Sequence, residues 1–277
     1  MPEPLSAPGE AVRRHDRERY LTALFAPSDR RADLLALYAF NLEVARTRES
    51  VREAMLGQIR LQWWRDALDE IQAGKPPRRH AVVKPLADAI RRHNLPRDAF
   101  ERLLLTRERD MDDTPFRTVA ELEAYADGTS AALIALALLI LDVKDAGILA
   151  RSRQIGRGYA LAGLLRATPF LARQHRCLLP EEVLAKHGID RDAVLEMKPS
   201  PALAAAVAEI ASVAGALLAP AHVVSGAWPA LAPAVLARRH LATLRRVGYD
   251  VYDSSLASEP GAGAVLALIG ASLLKRA

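Results

Sequence analysis

Apolar side chains recur at spacings of three and four along most of the chain, which is the period of one face of an α-helix. The stripe is clearest over 30–53, where it consists of Leu34, Leu37, Tyr38, Asn41, Leu42 and Ala45. The same spacing predicts helices over 15–25, 56–71, 82–93, 96–111, 119–141, 146–174, 180–187, 202–219, 229–247 and 261–276. Since no strand pattern competes with it, we predict an all-α protein.

The connections between these helices are short, and Gly and Pro residues mark several of them, as at 73–77. No flexible linker separates two regions of different composition. We therefore expect one domain over 13–277, preceded by a flexible N-terminal tail over 1–12. A helical bundle around a central cavity is the simplest architecture for such a chain.

Three apolar stretches bear on membrane contact. The stretch 128–141 is shorter than the roughly 20 residues that a bilayer core requires, so we interpret it as a buried core helix. The stretch 211–237 is long enough, but three prolines divide it into two helices and a loop. The stretch 262–274 is followed by Lys275 and Arg276, so it is either a last helix packed on the core or a helix resting on an anionic membrane surface.

Composition and charge indicate in which compartment the protein works and which partners it is not expected to bind. Hydrophobic residues make up 51% and aromatic residues only 5%, and the abundant Ala and Leu favour helices. The net charge is +5, but the arginines alternate with acids along the helices, so nucleic-acid binding is not predicted. Cys177 is the one cysteine, and no Cys/His spacing suits zinc. We expect a cytoplasmic protein, either free or peripheral on the inner membrane.

Five segments together resemble the squalene/phytoene synthase family, in that family's order and spacing. They are Tyr20–Pro27, Leu37–Val44, Arg60–Leu68, Gly156–Arg166 and Cys177–Pro180. The resemblance implies a helical isoprenoid-synthase fold. It also implies, for active members, the joining of two prenyl diphosphates in a central cavity, where two acidic motifs hold Mg²⁺ that binds the diphosphate.

Both acidic motifs are degenerate in this chain. At the first, where active members read Asp-Asp-x-x-Asp, residues 45–49 read Ala-Arg-Thr-Arg-Glu, so Glu49 alone is acidic. At the second, residues 160–171 keep Arg166 but carry apolar or small residues in place of the family's Gln, Asn and acids. We therefore predict no catalytic residues, no metal site and no cofactor. Mg²⁺ is expected only if the chain is an active enzyme after all.

Local features also resemble a noncatalytic branch of this family, the phytoene-synthase-like complex I assembly factors and their bacterial relatives. These features are Tyr38–Asn41, the Trp63-Trp64 pair, Glu108–Asp113 and Leu165–Pro169. The resemblance implies an assembly or biogenesis factor for a respiratory membrane complex, whose partners are that complex or its subunits. An isoprenoid or lipid ligand is a further option. The alternative is an active prenyl transferase of isoprenoid or lipid biosynthesis.

The candidate cavity or ligand-binding residues are Tyr38, Arg46, Glu49 and Arg166. The family correspondence predicts that Tyr38, Ala45, Glu49, Gly163, Arg166 and Phe170 line one cavity. An arginine in an apolar wall needs an anion, and we predict Glu49 as the partner of Arg166, with a bound phosphate or carboxylate as the alternative. The guanidinium of Arg46 either binds phosphate without a metal or pairs with a nearby glutamate. We interpret the acidic run 108–113 as a solvated helix end.

Overall fold

A computed structural model describes residues 5–51, 53–112, 114–220, 225–257 and 260–274. Over these ranges the regular secondary structure is helical, and no strand occurs. The α-helices are α1 Ala7–His15, α2 Arg17–Ala23, α3 Ser28–Ala45, α4 Ala54–Gln72, α5 Val83–His93, α6 Arg97–Glu108, α7 Val119–Ala126, α8 Ala132–Ile140, α9 Ala146–Arg173, α10 Glu181–Lys186, α11 Arg191–Leu195, α12 Pro201–Leu217, α13 Trp228–Leu231, α14 Pro233–Arg246 and α15 Ala262–Leu273. The predicted all-α class is confirmed.

Short polar side chains begin many of these helices by accepting a hydrogen bond from a first-turn backbone N–H. Ser200 Oγ accepts from Leu203 N at 3.1 Å, and Pro201 supplies a backbone φ that suits the first helical position. The same capping role belongs to Ser6, Asp16, Thr118, Asp145 and Asp190. Local chemistry therefore supports the predicted starts near residues 15, 119, 146 and 202.

The N-terminal region differs from the predicted flexible tail. Residues Ala7–His15 form α1, in which Val12 is fully buried and Gly9 lies beside Leu35 of α3. Pro8 stands in the first turn of α1, where its missing N–H costs no intrahelical hydrogen bond. The tail prediction is wrong from Ala7 onward, because a helix with so narrow an apolar face leaves almost no periodic signal.

The long helix α9 separates two apolar cores. On one side Ile155 and Ala162 join a core built mainly from α3–α6, α8, α13 and α14. On the other side Leu161 and Leu165 join a core built from α7 and α10–α12. A helix that is buried from both sides is fixed in position, so the side chains between its two apolar stripes project to defined places.

A π-helical turn over Asp127–Ala131 joins α7 to α8. The buried Asp127 carboxylate accepts hydrogen bonds from Arg102 of α6 and from Arg153 and Arg157 of α9. Burial opposes the charge of Asp127, but Arg153 and Arg157 outweigh it and lower the pKa of the carboxylate. The ion cluster ties the turn to both neighbouring helices.

The run Val119–Ile140 is the one helical segment of the described ranges that is long and apolar enough to cross a bilayer. Within its most apolar window, 67% of the residues are buried inside the protein. This burial agrees with the interpretation of 128–141 as a core helix.

Two glycines permit the close approach of α9 and α6 to the π-helical turn. A Cβ atom built on Gly156 of α9 lies 2.3 Å from the Cα of Ala131. A Cβ on Gly128 lies 2.1 Å from Thr106 Oγ1 of α6. The contact of Gly156 is with backbone, which cannot rotate out of the way, so this crossing requires glycine.

We expect Gly156→Ala to lower the free energy of unfolding by about 3 kcal/mol, because α9 must move off the turn. Gly163→Ala is the matched control on the same helix, since a Cβ there meets nothing within 4 Å. It should stabilise the protein by up to about 1 kcal/mol through helix propensity. Urea unfolding followed by far-UV circular dichroism measures both. Equal stability of the two variants would contradict the close crossing.

Candidate functional site

A cavity of about 300 Å³ lies between the end of α3, the ends of α6 and α7, and the middle of α9. Ala45 and Glu49, from the segment that matches the first acidic motif, lie on one wall. Gly163 and Arg166, from the segment that matches the second motif, lie on another. The two motif segments thus meet at one cavity.

Four of the six residues predicted to line the cavity do so, and two do not. Tyr38 lies in the apolar core with 3% of its surface exposed, and burial raises its pKa to about 12. Phe170 is 46% exposed and lines a neighbouring cleft of about 680 Å³. That cleft shares Arg19, Tyr159 and Arg166 with the cavity, so these three side chains form the wall between the two spaces.

Arg46 lies outside the central cavity. It lines a separate cleft with Glu43, and its Nε is 3.5 Å from Glu49 Oε2. This placement matches the second of the two interpretations of Arg46, the pairing with a nearby glutamate. Arg48, two residues further on, does line the central cavity.

Arg166 pairs with Glu18 of α2, so the predicted partner Glu49 is wrong. Arg166 Nη1 donates to Glu18 Oε1, and Tyr159 OH donates to Glu18 Oε2 at 2.7 Å. Glu49 follows α3 in a 3-10 turn and pairs with Arg46, whereas the Glu18 side chain is only 11% exposed. Family correspondence brings the two motifs together, but it does not show which other helix supplies an anion.

The environment of this pair shifts the pKa of Arg166 and of two neighbouring side chains, Tyr159 and His240. Burial opposes the guanidinium charge of Arg166, but the Glu18 carboxylate outweighs it and raises the pKa of Arg166. Burial and the charge of Glu18 raise the pKa of Tyr159 well above its ordinary value, so its hydroxyl stays a donor. On α14, burial and then the charge of Arg166 lower the pKa of His240 to about 4, so its imidazole is neutral.

A second polar cluster lies on the wall formed by α6 and α7. Arg107 Nη1 donates to Asp110 Oδ2 at 3.0 Å and to Tyr125 OH at 2.7 Å. Tyr125 OH in turn donates to Asp110 Oδ1 at 2.6 Å. Asp110 is 9% exposed, so the acidic run 108–113 is not simply a solvated helix end; Asp113 itself lies outside the described residues.

Ser130 Oγ and Arg107 Nε are buried polar atoms on the cavity wall that have no hydrogen-bond partner within the described part of the chain. Ser130 Oγ belongs to the π-helical turn, and the residue is 7% exposed. A buried polar atom without a partner costs free energy.

Comparison with known proteins decides the family. Residues 12–261 match the family model described as squalene/phytoene synthase. The chain belongs to the squalene/phytoene synthase family. A crystal structure of a dehydrosqualene synthase in complex with ligand has a TM-score of 0.81 to this structure, covering 96% of this chain and 94% of that one. At 18% identity this likeness shows the fold alone, and it confirms the predicted isoprenoid-synthase type of bundle.

Some relatives of this chain are named as complex I assembly factors, and others are named as synthases. The "NADH dehydrogenase (ubiquinone) complex I, assembly factor 6" of Rattus norvegicus is 33% identical over 252 residues, 89% of this chain and 75% of that protein. The presqualene diphosphate synthase of Rhodopseudomonas palustris is 29% identical over 189 residues, 68% of this chain and 66% of that protein. The predicted membership in this family is confirmed.

The residues present do not fit the Mg²⁺ ions that active family members are expected to hold. The carboxylates lining the cavity are Glu49 and Asp110, and arginines already bind both. The α9 wall presents no carboxylate, although hard cations prefer several oxygen ligands. Among the described residues no three His, Cys, Asp or Glu side chains converge.

Residues that the sequence did not single out form much of the site: Glu18, Arg19, Arg107, Tyr125, Ser130 and Tyr159. Glu18 had a usable signal, since it shares a helical stripe with the buried Leu21 and Thr22. An acid on an apolar stripe indicates a buried cationic partner. The two tyrosines carry no comparable pattern, because nothing in their local spacing separates a cavity residue from a core residue.

We expect Arg166→Ala to lower the free energy of unfolding by about 2–4 kcal/mol, because it leaves the buried Glu18 carboxylate unpaired. Glu18→Gln in the same chain should recover part of that loss. The measurement is a double-mutant cycle by urea unfolding, with an expected coupling of at least about 1 kcal/mol.

The control for this cycle is Arg46→Ala, whose pair with Glu49 is half exposed and should contribute no more than about 1 kcal/mol. Purely additive effects of the Arg166 and Glu18 substitutions would rule out the buried pair.

Proposed function

We propose that this chain is a noncatalytic member of the squalene/phytoene synthase family that assists the assembly or biogenesis of a respiratory membrane complex. We further place it in the cytoplasm, at the inner membrane where such a complex is built. The observation that carries the proposal is the chemistry of the cavity walls. Where active members need inward carboxylates for Mg²⁺, this cavity presents arginines and two carboxylates that are already paired.

The charge arrangement argues against ionisation of a prenyl diphosphate. Departure of diphosphate needs bridging cations that stabilise the developing negative charge. Arg166 is the one cation on the α9 wall, and Glu18 already neutralises it. Arg107 is likewise neutralised by Asp110. Charges that are paired in the resting protein stabilise a leaving anion less than free metal ions do.

The relatives support the assembly role. The rat protein that matches 89% of this chain is named for the assembly of NADH dehydrogenase complex I. A human protein of the same name is 31% identical over the same share of the chain. We therefore propose the corresponding respiratory NADH dehydrogenase, or one of its subunits, as the partner.

Deletion of the gene should lower assembled NADH dehydrogenase in the membrane by more than half, measured by native gel electrophoresis and NADH oxidation. The wild-type chain and Glu49→Gln should restore it equally, because an assembly role does not need the last acid of the first motif. Another membrane dehydrogenase serves as the control. Normal NADH dehydrogenase in the deletion strain would contradict the proposal.

The alternative is an active prenyl transferase, and the match to a presqualene diphosphate synthase favours it. Incubation with farnesyl or geranylgeranyl diphosphate and Mg²⁺ tests it directly. Release of diphosphate that EDTA abolishes, and that Glu49→Gln also abolishes, would establish this alternative and overturn the noncatalytic proposal.

We also propose that the cavity binds an amphiphilic anion without a metal, such as an isoprenoid phosphate or a lipid headgroup. Arginines and the unpartnered Ser130 Oγ offer donors to an anion, while Leu122, Leu161 and Leu164 line the cavity with apolar surface. A volume of about 300 Å³ is at the lower end for ligand pockets, so it suits a headgroup with a short apolar segment.

Calorimetric titration with geranyl diphosphate in excess EDTA should show binding, and Ser130→Ala should weaken it about tenfold through the loss of one hydrogen bond to a charged group. The melting temperature should not fall, since Ser130 Oγ has no partner in the described protein. Ser152→Ala is the control, because that buried hydroxyl bonds Leu149 O away from the cavity. Binding that requires Mg²⁺, or equal affinity in Ser130→Ala, would contradict this site.

A further inference from the structure

The C-terminal helix α15 has no polar face. Its residues Ala262–Leu273 include no charged side chain, and Ser272 is the single side chain with a hydrogen-bonding group. A helix that is apolar all round is normally enclosed by protein or lipid.

The structure encloses only one side of α15. Ala264 and Leu268 face the core and are buried. The opposite side exposes Leu266 by 68%, Ile269 by 43% and Leu273 by 80%. Spacings of three and four place these three side chains on one stripe, and Leu274, 65% exposed, extends the apolar surface at the end of the helix. We call Leu266, Ile269, Leu273 and Leu274 the outer stripe.

Two exposed arginines lie at the start of α15. The exposed Arg17 donates from Nε to the carbonyl oxygen of Pro260 at 3.4 Å, just before α15 begins. The exposed Arg239 reaches α15 at Gly263, where a Cβ would lie 3.2 Å from its Nη2. The sequence from Pro260 onward contains no acid and continues into Lys275 and Arg276, which lie outside the described residues. This charge pattern complements an anionic surface.

We propose that α15 docks the protein on the surface of an anionic lipid bilayer, with the outer stripe inserted at the boundary between headgroups and acyl chains. A helix of 12 residues is about 18 Å long, which is too short to cross the hydrocarbon core, so it lies in the plane of the interface. Arg17 and Arg239 then contact lipid phosphates. The inference rests on α15 with the neighbouring Arg17 and Arg239, and it does not depend on the assembly role.

A lipid surface fits the outer stripe better than a protein partner does. Stable protein interfaces use roughly 20–30 residues a side, whereas this stripe has four apolar side chains. Apolar side chains flanked by cations are the usual composition of helices that lie on membranes.

Flotation with vesicles of phosphatidylcholine and about one quarter phosphatidylglycerol tests the proposal, since phosphatidylglycerol gives the anionic charge that α15 complements. The full chain should bind these vesicles and bind pure phosphatidylcholine vesicles much more weakly. The triple variant Leu266→Ser, Ile269→Ser and Leu273→Ser should bind at least about tenfold more weakly, because it removes the inserted apolar surface. Arg17→Gln and Arg239→Gln should each weaken binding by about fivefold and reduce its salt dependence.

The matched control changes three exposed apolar residues elsewhere: Met55→Ser, Ile59→Ser and Leu105→Ser, at positions 68%, 57% and 60% exposed. This variant should bind vesicles as the wild type does. Circular dichroism checks that each variant is folded, and Leu273→Asp alone provides a milder second test at the most exposed position. Equal loss in both triple variants, or no loss in the α15 variants, would overturn the proposal. So would dimerisation without vesicles that the α15 triple variant abolishes.

Discussion

The bond between Arg166 and Glu18 is the constraint on which the arrangement of the cavity depends. An arginine cannot escape burial by losing its proton, so a cation on the apolar face of α9 requires an anion nearby. Glu18 supplies it from α2, far away in sequence, and Tyr159 completes the coordination of the carboxylate. The N-terminal helices are therefore held against the helix that both cores share. On the wall formed by α6 and α7, Asp110 likewise pairs with the guanidinium of Arg107.

These pairs change what the inherited fold can do. In a synthase of this family, carboxylates that face the cavity remain available for Mg²⁺, and the metal supplies the positive charge. Here arginine side chains supply the positive charge, and carboxylates of the same chain neutralise part of it. Such a cavity carries fixed positive charge without a metal, because more arginines than carboxylates line it. Its apolar lining and the Ser130 hydroxyl are the features on which the proposed binding of an amphiphilic anion rests.

The sequence predicted the helices well because apolar spacing and capping residues are local signals. It also predicted that Arg166 needs an anion, which follows from the chemistry of one side chain. It did not predict Glu18 as the partner, since that choice depends on how α2 is placed relative to α9. Helix α1 was missed because its buried face is little more than Val12 and two small residues. Tyr38 was misplaced because the family correspondence gives the helix face but not the depth of a side chain.

The cavity and the proposed lipid-binding helix are neighbours in the fold. Arg17 and Pro260, which lie where α15 begins, also line the cleft that shares Arg19, Tyr159 and Arg166 with the cavity. Two of these three shared residues, Tyr159 and Arg166, hold the Glu18 carboxylate, so the boundary between the cleft and the cavity depends on the Glu18 pair. A substitution that breaks the pair therefore alters the space beside α15 as well as the stability of the bundle. For this reason the Arg166 variants and the outer-stripe variants are best compared in the same vesicle assay. If only one of the two groups of variants loses vesicle binding, the cavity and the outer stripe act independently.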